Sequence, residues 1–145
     1  MIIELEKICH EYNFRFLCVK DELNHLQLSK NITLLPPVAH TELINYYSQY
    51  EFYFQLSIAE GFPNALCEAM LCECIPIGSD VFGIPDIIGD TGFILKKKDV
   101  ALLKNLVDEA VKSDKVTLAK KARQRIMENF PEEKREEKLV AVINL

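Results

Sequence analysis

Along the chain, apolar positions alternate between two spacings. In "IIELEKICHEY" they fall at Ile2, Leu5, Ile8, Cys9 and Tyr12, the period of a helix, and "FRFLCV" then reads as a strand. "NITLLP" predicts a second strand, stopped at Pro36 and Pro37, and "TELINYYSQY" a short amphipathic helix. "EFYFQLS" has the aromatic content of a buried strand. A helix from about Pro63 to Glu73 follows, then the strand "CIPIGS", a turn-rich loop "DVFGIPDIIGDTG" and the short strand "FILK". From Val100 onward the pattern is helical, with breaks near Ser113 and at Pro131. Repeated strand and helix alternation implies an α/β fold, a doubly wound parallel sheet with helices on both faces. The chain shows no repeat, no low-complexity segment and no linker, so residues 1–145 read as one domain.

Composition narrows the function classes. The chain has 145 residues, 49% apolar and 27% charged, which is ordinary for a globular domain. A net charge of -5 gives no electrostatic reason to bind nucleic acid, and the one basic run, Lys96 to Lys98, is short. No stretch is long and apolar enough to span a bilayer, and acids stand at the N-terminus where a signal peptide needs a basic flank. Five cysteines, an odd number without framework spacing, suit a reducing compartment, so the expected location is cytoplasmic.

The chemistry concentrates in "AEGFPNALCEAM", which sets Glu60 and Glu68 eight positions apart around a Gly-Phe-Pro-Asn turn. In such a sheet, ligands sit at the carboxyl ends of the strands, where loops meet helix starts. Pro63 suits the first helical position, and the amides of Asn64, Ala65 and Leu66 are then expected to point into the crevice as an anion site. With a rise of about 1.5 Å per residue, Glu68 lies roughly 7 to 8 Å beyond Pro63, leaving Glu60 on the far side of the anion. Acid, anion cradle and acid in line match a molecule with hydroxyls at both ends and phosphate between, such as a nucleotide sugar. The spacing alone leaves another reading open, since two glutamates eight apart also occur by chance and Glu68 can be a solvated helix residue.

The surrounding residues carry a resemblance. "SIAEGFPNALCEAMLCECIPIGSDVFGIPDIIGDTGFIL" resembles the donor-binding, C-terminal domain of retaining glycosyltransferases of the GT-B fold, family 4. The pattern is an acid, seven residues and an acid within E-G-F-P and E-A-M, matched by Glu60, Gly61, Phe62, Pro63, Glu68, Ala69 and Met70. It continues through Pro76 and Ile77, "GIPDII" and "TGFIL", and more weakly over both ends. The resemblance implies a Rossmann-like half of a GT-B fold that transfers a sugar from a nucleoside diphosphate to an acceptor hydroxyl with retention, as a hexosyltransferase. By the same resemblance Glu60 is the catalytic-side acid against the donor sugar and Glu68 the ribose ligand. The backbone from Gly61 to Ala65 would hold sugar hydroxyls and diphosphate, with Leu66 beside them, and the base would rest near Pro37 and Val38. The donor expected is a UDP- or GDP-sugar, without a metal, since no Asp-x-Asp cluster or ligand spacing is present. Charge stabilisation on the leaving diphosphate and positioning of the acceptor would carry the rate.

The departures from the pattern matter equally. In the family, an Arg and a Lys that clamp the diphosphate lie in the loop after the first strand, and here Met1 aligns inside the following helix. The acceptor domain is expected to be missing from this chain or supplied by a partner, leaving the isolated chain inactive and its membrane association, if peripheral, dependent on that half. "CVKDELNHLQLSKN" lacks the glycines usual after the second strand, with Lys20 at the first. In a sheet ordered 3-2-1-4-5-6 the missing strand is central, so "FRFLCV" and "EFYFQLS" must pair with each other or a partner chain must fill the gap. The alternative function is a non-catalytic nucleotide-sugar-binding subunit or an inactive remnant of such an enzyme. Cys67, Cys72 and Cys74 read as core fillers, His40 as a capping or solvated residue, His10 and His25 as carrying no recognisable chemistry, and "PEEKREEK" as an exposed helix face. Leu139, Val142 and Ile143 are the apolar positions of a final helix that would cross to the absent half.

Overall fold

A computed structural model describes residues 4, 9, 11–16 and 30–131. The expected first helix, apart from Glu4 and Cys9, the segment around Lys20 and the final helix with Leu139, Val142 and Ile143 lie outside these residues. The described elements are, in order, β1 (Phe14–Phe16), β2 (Ile32–Leu34), α1 (His40–Tyr47), β3 (Phe52–Gln55), α2 (Asn64–Leu71), β4 (Ile75–Ser79), α3 (Ile84–Ile88), β5 (Phe93–Leu95), α4 (Val100–Lys112) and α5 (Lys115–Asn129).

All strand pairs are parallel. β1 pairs with β2 from Phe14↔Ile32 to Phe16↔Leu34, while β4 lies between β3 and β5, with Phe54↔Ile77 and Ile77↔Phe93 in register. Side chains alternate across the sheet and sort into two cores. On one face Phe14, Ile32, Ile77 and Leu95 are buried against Leu103, Val107 and Ala110 of α4. On the other face Leu66, Met70, Ile84, Ile87, Ile88, Ala122 and Ile126 bury α2, α3 and α5 together. A smaller cluster of Tyr47, Ala69 and Cys74 joins α1 to α2. Each fully buried Leu or Ile contributes about 1.5–3 kcal/mol of transfer free energy, so the two helix layers fix the sheet from both sides. This is the expected doubly wound arrangement.

One feature differs from the sequence expectation, and a second excludes one of its two alternatives. Inside the turn-rich loop the run Ile84–Ile88 forms a short helix, because Pro85 suits its first turn and Ile84, Ile87 and Ile88 share one buried face. Gly89 ends it at φ 56°, with the Arg125 guanidinium packed against it and donating to the Ile87 and Asp86 carbonyls at 2.7 Å each. Of the two alternatives for the strand edges, β1 and β3 do not pair with each other: among the described residues the strands form a two-stranded and a three-stranded sheet. Aromatic side chains from both edges meet on the α4 side, where the Phe14 and Phe54 ring centroids are 6.2 Å apart. The separate packing of Phe14, Ile32 and Phe54 under α4 holds the two edges in place without a shared ladder.

The helix starts are encoded locally. Asp99 accepts from the Leu102 amide at 2.8 Å and Asp114 from the Thr117 amide at 3.1 Å, each satisfying a donor that the first turn leaves without a partner. Between them Ser113 separates α4 from α5, as the sequence predicts.

Candidate functional site

β3 delivers the chain to the carboxyl end of the sheet at Gln55, and the loop from Leu56 to Pro63 crosses there before α2 begins. Glu60 is half-buried in that loop. Its Oε2 accepts from Ser57 Oγ at 3.4 Å and Gln55 Nε2 at 3.5 Å, and Gln55 Nε2 also donates to Ser57 Oγ at 2.7 Å. The other end of the Gln55 amide accepts the Tyr53 hydroxyl at 3.1 Å. Burial, before the nearby Tyr47 and Glu68, raises the Tyr53 pKa far above its ordinary value, so the hydroxyl stays a donor and fixes which way the amide faces. A polar chain thus runs from inside the sheet to the Glu60 carboxylate. Ser79 Oγ donates to the Ser57 carbonyl at 2.7 Å and ties the same loop to β4.

Glu68 sits in the second turn of α2, about one third exposed, and its Oε1 meets His40 Nε2 at 3.1 Å. His40 opens α1 and is largely exposed, as the solvated one of its two expected readings has it, and its ring meets Glu68 instead of capping the helix. This contact brings the loop bearing exposed Pro37 and half-buried Val38 next to the α2 carboxylate.

The α2 start differs in detail from the prediction. Pro63 is buried and caps the helix with φ -76° and ψ 94°, one position earlier than expected. Its carbonyl accepts from the Leu66 amide at 3.1 Å, and the Leu66 side chain is fully buried, so Leu66 offers the crevice neither group. Ala65 precedes the first intrahelical bond and keeps the orientation of a helix-start amide. Phe62 packs on Phe130 with ring centroids 5.8 Å apart. Gly61 is exposed, and a Cβ there would meet no protein atom within 4 Å. Across from it, Gly83 approaches so closely that a Cβ would lie 3.2 Å from the Gly61 carbonyl, so the turn after β4 forms the opposite lip.

The remaining polar groups at this end are separate. Lys96 pairs with Asp80 at 3.2 Å, and Lys96 to Lys98 line a cavity of about 160 Å3 beside Ser57 and Ile58. Among the described residues, no three His, Cys, Asp or Glu side chains converge as metal ligands, and no helix is long and apolar enough to cross a membrane. Cys74 is buried, its thiol donating to the Tyr47 carbonyl at 3.2 Å, while Cys67 and Cys72 are half-buried, as core-filling thiols should be.

The sequence names Glu60 and Glu68 but not what holds them. Gln55 and Ser57 at the strand end, and His40 far away in sequence, come together only through the parallel crossover.

Comparison with known proteins agrees with this architecture. Residues 15–133 match the family described as glycosyl transferases group 1. The chain is 34% identical over 83 residues to N-acetyl-alpha-D-glucosaminyl L-malate synthase of Bacillus anthracis, covering 54% of this chain and 22% of that protein. It superposes on a glycosyltransferase from Rickettsia africae with a TM-score of 0.78 at 18% identity, covering 97% of this chain and 42% of the other. On the C-terminal domain of a glycosyl transferase group 1 family protein from Francisella tularensis the TM-score is 0.63 at 20% identity, covering 77% of this chain and 60% of that one. The chain therefore spans only part of the length of these relatives.

Proposed function

The chain belongs to the glycosyl transferases group 1 family, and from that premise we propose that it is the donor-binding half of a retaining glycosyltransferase acting on a nucleoside-diphosphate sugar. In this reading the ribose hydroxyls hydrogen-bond to Glu68, the base lies along Pro37 and Val38, and the diphosphate rests over the α2 start at Asn64 and Ala65. The transferred hexose then lies between Gly61 and Glu60, where it meets an acceptor hydroxyl held by polypeptide outside these residues.

The observation that carries the reading is the flanking of the α2 start by two carboxylates, each held by its own partners: Glu60 by Ser57 and Gln55, Glu68 by His40. The helix dipole and helix-start amides favour the diphosphate, and more so the charge that accumulates on it as the glycosidic bond breaks. Glu60, fixed before the donor arrives, pays little reorganisation cost in orienting a sugar hydroxyl near the reacting carbon. The diphosphate is neutralised by basic groups and amides and not by a metal, and the work is cytoplasmic. A second reading, a nucleotide-sugar-binding subunit without turnover of its own, is favoured by the edges of β1 and β3, which pair with no further strand among the described residues and suit a chain that works with further polypeptide.

Isothermal titration with UDP, GDP and their sugar conjugates, on this chain and on Glu68→Ala, tests both. One nucleotide series should bind and lose at least tenfold in affinity in the variant. Equal binding by the variant removes Glu68 from the ribose site. Binding without transfer, even when an acceptor domain is added, selects the second reading.

A further inference from the structure

Two loops at the carboxyl end of the sheet run side by side and are tied at both ends. Ser79 Oγ donates to the Ser57 carbonyl at 2.7 Å. Four residues further along each loop, Gly83 lies so near Gly61 that a Cβ on it would fall 3.2 Å from the Gly61 carbonyl oxygen. Phe82, one position before this second tie, therefore stands across from the turn that carries Glu60 and Gly61. Its Cα is about 3.8 Å from that of Gly83, which leaves the phenyl ring within reach of a sugar held at Gly61.

Two features of Phe82 work against the fold. Its φ of 45° is left-handed. With Gly83 at φ -78° and ψ -5°, and the Ile84 amide donating to the Val81 carbonyl at 3.2 Å, the turn has the form of type II′, whose first central position favours glycine. Glycine at 82 would make the same turn without strain, and a bulky residue there is an outlier. The side chain is also 74% exposed, so the ring contributes little packing. The other left-handed non-glycine among the described residues, Glu73 at φ 67°, differs on both counts. It is polar, and its bend closes α2 by letting the Cys74 amide reach the Ala69 carbonyl at 3.0 Å. A single exposed apolar side chain is ordinary. One that also occupies a strained turn, on the rim of the candidate site, points to a contact outside the chain.

We propose that Phe82 is the specificity-determining wall of the sugar subsite, its ring packed against the C–H face of the transferred hexose while the hydroxyl edge of that hexose meets Glu60 and the Gly61 backbone. The inference rests on the donor reading and adds to it the residue that selects the sugar. A pyranose is amphipathic: ring C–H groups project above and below it, and equatorial hydroxyls lie around its edge. Glu60, held by Ser57 and Gln55, offers acceptors to that edge. Phe82, on the facing loop, offers an apolar surface that takes the C–H groups out of water. The same surface discriminates between epimers. An axial hydroxyl on the covered face would be pressed onto the ring without a hydrogen-bond partner, and burying a polar group in that way is unfavourable. The hexose accepted is therefore one whose face toward Phe82 is an unbroken set of C–H groups.

The test titrates the 145-residue chain with UDP, UDP-glucose and UDP-galactose and with GDP, GDP-glucose and GDP-mannose, each sugar pair differing in configuration at one carbon. Phe82→Gly and Phe82→Tyr are titrated in the same way. The wild type should bind one conjugate about tenfold more tightly than the bare nucleotide and than its epimer, the gain expected from covering one face of a sugar ring. Phe82→Gly should bind the bare nucleotide as the wild type does, lose most of the gain and treat the two epimers alike. Phe82→Tyr, which keeps the ring, should keep both preferences. Thermal unfolding supplies a second readout: Phe82→Gly should melt no lower than wild type, because glycine relieves the turn. An undiminished gain or epimer preference in Phe82→Gly would overturn the proposal, as would wild-type conjugates that bind no better than the bare nucleotide. Weaker binding of the bare nucleotide by Phe82→Gly would place the ring elsewhere than on the sugar, and a lower Tm would mean that the fold holds it; either result also overturns the proposal. Failure of the wild type to bind either bare nucleotide is a separate result, which overturns the donor reading and this inference with it.

Discussion

Gly61 and Gly78 separate what the protein needs from what its ligand needs. A Cβ at Gly78 would fall 2.5 Å from Ile84 Cγ2 and 2.6 Å from Ile88 Cδ1. Both isoleucines are fully buried and cannot swing aside, so Gly78→Ala forces α3 off β4. Overpacking of this kind costs about 1–3 kcal/mol, equivalent to a Tm lower by roughly 3 to 10 °C at this chain length. At Gly61 a Cβ meets nothing within 4 Å, so Gly61→Ala should leave stability within about 0.5 kcal/mol of wild type. Yet the added methyl stands where the proposed donor site sets the sugar against the backbone. Losing one hydrogen bond to a charged group costs about 1.5–3 kcal/mol, or between tenfold and a hundredfold or so in Kd. Thermal unfolding and nucleotide titration of both variants provide the check. A Gly61→Ala protein that is as unstable as Gly78→Ala would refute the steric reasoning, and one that binds the nucleotide normally would remove this turn from the site.

Three further outcomes follow from the same structure. The His40 and Glu68 pair is largely exposed on the histidine side, so His40→Ala should shift stability little, and a double-mutant cycle with Glu68→Ala should give a coupling below about 1 kcal/mol; a larger value means that the pair is structural. Burial pushes the Cys74 thiol up to about 12, so a thiol reagent at pH 8 should leave Cys74 unmodified in the folded chain, by mass spectrometry, until urea is added; labelling at the unfolded rate contradicts its burial. The Thr117 hydroxyl and amide at the α5 start hold the Asp114 carboxyl below its ordinary value, so its contribution is complete above the unfolded pKa and lost as pH falls through the folded one. Asp114→Ala should therefore lower Tm at pH 7, with the gap to wild type narrowing as the pH falls below about 4, and a gap that stays constant on acidification excludes the cap as its source.

What could be read from the chain divides by range. Strands such as "EFYFQLS" and "CIPIGS" and the helix from Val100 announce themselves, because burial on two faces or one writes its period into consecutive residues. α3 stays hidden, since five residues between Gly83 and Gly89 are too few to establish a helical period and Pro85 reads as a turn. The two acids are visible in their motif, but the Tyr53, Gln55 and Ser57 chain behind Glu60 is not, as strand-end residues two apart become neighbours only on one face of a formed strand. The sequence leaves open whether β1 and β3 pair with each other or take a further strand between them, and among the described residues they do not pair. A strand's sequence records that it is buried, not which strand lies beside it.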